Sequence, residues 1–222
     1  MNCRREDVLL YAVTGPTGPG KESLADQVER ALRGGVTMLQ LREKTLDEET
    51  FLEEAYRIRE LCDRYGVPLI INDNVRIAKE TGAAGVHVGP SDMSVADARA
   101  FLGPDKIIGA SARTVEQAVD AERRGADYLG VGAVFATDTK QDAIRIGKRT
   151  LTEICQAVRI PVAAIGGITA ENLPELAGSG IDGVAVVSAI FGQEDEEVAA
   201  RELKRMAKET LSHRESGGSP NS

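Results

Sequence analysis

The stretch at 68–89, PLIINDNVRIAKETGAAGVHVG, holds a complete repeating unit. An apolar run, PLIIND, gives way to an amphipathic stretch, NVRIAKETGA, and then to a second apolar run, GVHVG. A strand, a helix and a strand joined this way lie parallel and adjacent. Runs made almost wholly of Val, Ile, Leu, Ala and Gly fit strands covered by helices on one face and by a packed interior on the other.

The pattern extends in both directions. Upstream are LLYAVTG with SLADQVERALRGG, and TMLQLRE with DEETFLEEAYRIRELCDRYG. Downstream, GVHVG continues into SVADARAFLG, and KIIGAS, YLGVGAV, PVAAIGGI and GVAVVSAI are each followed by a helical pattern, which makes eight units. Ser23, Asp47, Ser94 and Thr114 stand where helices begin, and Gly34, Gly66, Gly82, Gly125 and Gly180 where they end. Eight units in 222 residues predict an α/β chain with one domain, a small (β/α)8 barrel over 8–211, preceded by an extension at 1–7 and followed by a disordered tail at 212–222. The alternative is an open doubly wound sheet, but no GxGxxG opens a helix after the first strand.

Composition narrows the partners. A net charge of −8 and a pI near 5.0 argue against nucleic acid, which needs a basic face, but allow a small anion held by a few local cations. Cys3, Cys62 and Cys155 are odd in number and widely spaced, so they suggest neither a disulfide framework nor a zinc site. The run from Val8 to Val13 is too short for a signal sequence or a membrane span. The expectation is a cytoplasmic protein with no membrane partner; a homo-oligomer stays open.

In a barrel of this kind the chemistry sits where the strands end. Strand two ends in Gln40, Arg42 and Lys44, strand three in Asn72 and Asp73, the loop after strand four in Asp92, and strand five in Ser111. Strand six runs into Thr137, Asp138, Thr139 and Lys140, strand seven into Gly166 and Gly167, and strand eight into Val187 and Ser188. If strand two extends through Lys44, then Gln40, Arg42 and Lys44 project to one face; otherwise the charges belong to a frayed, solvated end. Asp73 and Asp92 come from adjacent units, and two facing carboxylates call for a proton or a cation. Mg2+, commonly held by one or two carboxylates and substrate phosphate, meets that need, although Asp92 also suits the start of a helix. The two glycines fit either a phosphate cradle or a tight turn. Cys62 and Cys155 fall in helices, no Ser–His–acid set converges, and His87 reads as a satisfied histidine inside strand four. The chemistry expected is stabilisation of a departing anion by metal and cations.

QLREK, IIND, HVGPSD, GAS, TDTK, AIGGI and VVSAI, in this order at successive strand ends, resemble the thiamine phosphate synthase family over about residues 9–205. The resemblance implies a transferase of thiamine biosynthesis. It would join 4-amino-2-methyl-5-hydroxymethylpyrimidine diphosphate to 4-methyl-5-(2-hydroxyethyl)thiazole phosphate, or to its carboxylated form, and release thiamine phosphate and pyrophosphate. It implies that Gln40, Leu41, Arg42, Glu43, Lys44, Asn72, Ser111 and Lys140 bind the pyrimidine diphosphate, with Arg42, Lys44 and Lys140 catalytic. It further implies that Asp73 and Asp92 hold Mg2+, and that Thr137, Asp138, Thr139, Gly167, Val187 and Ser188 hold the thiazole phosphate.

The chain departs from the family pattern in two places. Ala133 and Ala136 stand where prolines are usual, which implies a less rigid loop, and Arg113 replaces the histidine expected after Ser111-Ala112. A sister family of thiazole tautomerases is expected to use that histidine, so Arg113 favours the synthase. A silent phosphate-binding barrel would have lost a metal carboxylate or Lys140, and neither is lost.

Overall fold

The computed structural model describes residues 2–15, 22–136 and 145–211. Eight strands, β1 (Leu10–Val13), β2 (Met38–Leu41), β3 (Leu69–Asn72), β4 (Gly85–Val88), β5 (Ile107–Ala112), β6 (Tyr128–Gly132), β7 (Val162–Ile165) and β8 (Gly183–Val186), form a closed ring in chain order. Every pairing is parallel, including β8 against β1. The chain is therefore a (β/α)8 barrel, and the open sheet is excluded.

Closure explains why the strands are apolar throughout. Alternate residues serve two separate cores. Leu10, Leu39, Leu41, Ile71, Val86, Leu129 and Val184 pack outward beneath the helices. Tyr11, Val13, Met38, Ile70, Ile107, Tyr128, Ala163 and Ala185 fill the barrel interior.

The helices are α1 (Leu24–Gly34), α2 (Glu48–Tyr65), α3 (Val75–Thr81), α4 (Val95–Leu102), α5 (Val115–Arg123), α6 (Lys148–Ala157), α7 (Ser188–Phe191) and α8 (Glu196–Leu211). Ser23, Asp47, Ser94 and Thr114 each accept a hydrogen bond from a first-turn backbone N–H, as does Asn74, whose capping role the repeat pattern does not single out. Such caps contribute about 1 kcal/mol each.

Three local expectations change. Gly34 is the last residue of α1 rather than its cap, and Gly35, at φ +100°, takes the left-handed position. Gly34 is there for closeness, because a Cβ would lie 2.4 Å from the Glu197 carbonyl oxygen of α8. The seventh helix is reduced to a 3-10 turn at Leu173–Leu176, since Pro174 supplies no N–H to extend it and Gly178 and Gly180 take positive φ just after. The short α7 also intervenes before α8, so Ser188 begins a helical turn instead of ending β8.

The segment expected as an N-terminal extension closes the barrel floor. Cys3 and Val8 belong to the interior cluster, the Asn2 amide donates to Asp127 at 3.0 Å, and Arg5 donates to Asp182 at 2.5 Å. Asp127 and Asp182 each stand one residue before a strand and accept the backbone N–H of a neighbouring strand, from Ile108 and Val162, both at 2.9 Å. The floor is thus sealed by hydrogen bonds, and the opposite end is left for function.

All three cysteines are buried, and burial pushes the Cys62 thiol up to about 12. Reactivity tracks the thiolate, so native protein at pH 8 should take up almost no Ellman reagent, with full labelling appearing only in denaturant. Among the described residues no helix is long and apolar enough to cross a membrane.

Candidate active site

A cavity of about 350 Å3 opens at the C-terminal ends of the strands. Gln40, Arg42, Lys44, Asn72, Asp73, Asp92, Ser111, Gly166, Gly167, Val187 and Ser188 all line it. They come from β2, β3, β4, β5, β7, β8 or the loops that follow them, so residues scattered over most of the chain meet in one place.

Strand β2 stops at Leu41, short of the extension through Lys44 that would align three side chains by strand geometry alone. Arg42 nevertheless stays in register because Thr14, fully buried after β1, grips its backbone at both ends. The Arg42 N–H donates to Thr14 Oγ1 at 2.8 Å, and the Thr14 hydroxyl donates to the Arg42 carbonyl at 3.3 Å. Lys44 lies in a bend and reaches the cavity by donating to Asp73 Oδ2 at 2.5 Å. The side chains of Leu41 and Glu43, carried with their neighbours by the family likeness, are not among the residues that line the cavity. Leu41 is buried among the outward-facing core residues, and Glu43 lies off the cavity, its carboxyl pushed up by burial and by Glu54.

Asp73 takes φ 62°, a left-handed conformation that short polar residues tolerate, while its N–H donates to the His87 carbonyl at 2.8 Å. Burial opposes ionisation of both mouth carboxyls. Asp73 is still held below the usual range, by the Lys44 ammonium and by a hydrogen bond from Asp92. Asp92 is pushed up by burial and by the charge on Asp73. The two shifts run in opposite directions, as expected of facing carboxyls: Asp73 favours its charged form beside Lys44, and Asp92 its protonated form. Asp92 also accepts the Gly89 N–H at 2.8 Å, and Ser94, not Asp92, caps α4. Among the described residues no group of three or more His, Cys, Asp or Glu side chains could hold a metal. Two hard carboxylates with room for phosphate oxygens suit Mg2+ and do not suit zinc.

On the far side, Gly166 and Gly167 have φ of 103° and 62°. A Cβ on Gly167 would lie 2.0 Å from the Ala136 carbonyl oxygen, so this position has room only for glycine. Val187 and Ser188 sit beside this turn at the start of α7. Thr137, Asp138, Thr139 and Lys140 lie outside the described residues.

Other groups in or supporting the cavity are given no role there by the sequence alone. Thr14 follows β1, a strand whose end carries no charged residue to draw notice; a threonine directly after a buried run is the available signal. Arg113 also lines the cavity, one residue beyond β5, so the departure from the family pattern falls in the site itself. His87 is held at both nitrogens, Nε2 against Ser111 Oγ at 2.9 Å and Nδ1 against the Tyr128 hydroxyl at 3.0 Å. A serine and a histidine do meet, but the third partner is a tyrosine rather than an acid.

Thr14→Val keeps the shape and removes the grip on Arg42. Loss of these hydrogen bonds should cost about 1 kcal/mol of stability and, by loosening Arg42, lower kcat/KM by about fivefold; an unaltered kcat/KM would show that Arg42 needs no such anchor.

Comparison with known proteins places this geometry. The sequence model described as thiamine monophosphate synthase (TMP-TENI) matches residues 10–190. The chain is 48% identical over 197 residues to the thiamine-phosphate synthase of Ruminiclostridium cellulolyticum, covering 89% of this chain and 94% of that one. It is 45% identical over 208 residues to thiamine-phosphate synthase 2 of Streptococcus pneumoniae, covering 94% and 99%. The thiamine phosphate pyrophosphorylase structure from Pyrococcus furiosus superposes with a TM-score of 0.84 at 38% identity, covering 93% of this chain and 98% of that one. With a barrel mouth of this composition and likeness along nearly its whole length, the chain belongs to the thiamine monophosphate synthase family of enzymes.

Proposed function

We propose that this cavity joins the aminopyrimidine diphosphate to the thiazole phosphate, or to its carboxylated form, and releases pyrophosphate. The observation that carries the reading is the juxtaposition of two unlike anion-compatible regions around one cavity: Arg42, Lys44 and the Asp73–Asp92 pair on one side, and the Gly166–Gly167 turn with Ser188 on the other. Asp73 and Asp92 both line the cavity and perturb one another's ionisation, and these two residues would hold Mg2+. When bound, the ion supplies charge neutralisation for a leaving diphosphate.

The chain's own residues do the rest. Arg42 and Lys44 meet the negative charge that grows on the departing group, and Lys140, carried by the family likeness and outside the described residues, adds to them. Gln40, Asn72 and Ser111 orient the pyrimidine ring. Thr137, Asp138, Thr139, Gly167, Val187 and Ser188 hold the thiazole phosphate. Departure of pyrophosphate leaves a pyrimidine-methyl cation for the thiazole nitrogen to capture, a route that needs no protein nucleophile.

The test is an assay with both substrates, with and without Mg2+, read as thiochrome fluorescence. Mg2+-dependent thiamine phosphate is the expected product. Its absence, with both substrates verified, would overturn the proposal and make Arg113 the first residue to revert to histidine.

A further inference from the structure

Beneath the cavity a line of hydrogen bonds crosses the barrel interior. Gln40 Nε2 donates to the Tyr11 hydroxyl at 2.5 Å, the Tyr11 and Tyr128 hydroxyls are 2.7 Å apart, Tyr128 meets His87 Nδ1 at 3.0 Å, and His87 Nε2 meets Ser111 Oγ at 2.9 Å. Gln40, Tyr11, Tyr128 and His87 are all at least nine-tenths buried. The space is built for them, since a Cβ on Gly109 would lie 2.2 Å from the Tyr128 ring and one on Gly130 3.1 Å from His87. Burial pushes both phenol groups well up, so each keeps its proton.

Such a line has a direction. With Gln40 Nε2 as donor, the arrangement that leaves no hydroxyl proton in the line without an acceptor has Tyr11 donating to Tyr128 and Tyr128 donating to His87 Nδ1. The imidazole is then neutral with its proton on Nε2, which it donates to Ser111. Both ends reach the cavity. Gln40 Oε1 is left to accept there, and the Ser111 hydroxyl is left to donate. A pyrimidine with an amino group offers a donor and a ring-nitrogen acceptor, the complement of that pair; its oxo counterpart offers the reverse.

We infer that Tyr11 and Tyr128 are positioning residues that tie the hydrogen-bonding sense of Gln40 to that of Ser111, so that the cavity takes an aminopyrimidine and rejects the oxopyrimidine. This rests on the substrate proposed above and deepens it. Accepting the oxo ring would require the amide, two phenols and the imidazole to reverse together, a larger cost than reorienting one side chain.

The test uses the full-length protein carrying His213→Gln, which leaves one imidazole, because the chain has two histidines. Nitrogen NMR of the unliganded protein should show His87 protonated on Nε2 and bare on Nδ1; a proton on Nδ1 would overturn the inference without reference to turnover. Calorimetry with Mg2+ then compares the amino and oxo pyrimidine diphosphates. Tyr128 does not line the cavity, so Tyr128→Phe should leave thiazole phosphate affinity unchanged, release the imidazole into a mixture of tautomers, and cut the amino-to-oxo preference by about tenfold. A folded Tyr128→Phe protein that keeps both the tautomer and the preference would overturn the inference while the proposed reaction stood. Should that variant fail to fold, Tyr11→Phe serves in its place: loss of the single tautomer and of the preference supports the inference, and retention of both overturns it. Wild-type protein that binds neither pyrimidine would remove the proposed function and this inference together.

Discussion

Asp73→Ala is expected to lower Mg2+-supported turnover by about 10³-fold, equivalent to about 4 kcal/mol in the barrier. Asp73 is one of only two carboxylates in the candidate metal site, and no third ligand among the described residues can replace it. Its removal also frees Lys44, whose ammonium it fixes at 2.5 Å, so metal holding and cation placement fail together. The fold should survive. The Lys44–Asp73 pair is partly exposed, with 51% and 29% of the two side chains accessible, and exposed pairs contribute about 1 kcal/mol or less to stability. The measurement is initial rate against Mg2+ concentration, with circular dichroism as the control. A folded variant with unchanged Mg2+ dependence would remove Asp73 from the metal role.

The second large effect is on stability. Gly109→Ala places a methyl group 2.2 Å from the ring of Tyr128, which is itself fully buried and hydrogen-bonded to Tyr11 and His87. The ring has no free direction in which to yield, so a cost of about 3 kcal/mol is expected, the upper end for overpacking a dense core. Urea unfolding should show the loss as a lower midpoint at unchanged slope. The φ of Gly109 lies outside the left-handed region, so the effect is one of space rather than backbone strain. A midpoint within error of wild type would show that the barrel interior is looser than this packing implies.

Much of this is legible in the residues. The barrel can be read because each of its strands must be apolar on both faces, and eight such runs separated by capped amphipathic stretches leave few other arrangements. The candidate site can be read in outline for a related reason: strand ends face the same mouth, so Gln40, Arg42, Asn72, Asp73 and Ser111 need only their positions in the repeat to be grouped. The family likeness carries Leu41 and Glu43 with them, whereas the strand's two-residue period turns Leu41 outward and Glu43, past the strand's end, lies off the cavity. The seventh helix is shorter than its amphipathic spacing suggests because Pro174, with its missing N–H, leaves only a 3-10 turn.

By itself the sequence determined the repeat, the caps, the order of strand ends and the shortage of positive charge. These depend on neighbours within a few positions, where propensity and periodicity act. Only the tertiary structure decided that Thr14 anchors Arg42 across 28 positions, that Asp73 and Asp92 shift one another in opposite directions, and that two tyrosines 117 positions apart join Gln40 to Ser111 through His87. Contacts of that kind follow from barrel closure and from the space that Gly109 and Gly130 leave open. A hydrogen bond is made by distance and angle in space, and sequence separation carries no information about either until the chain has closed on itself.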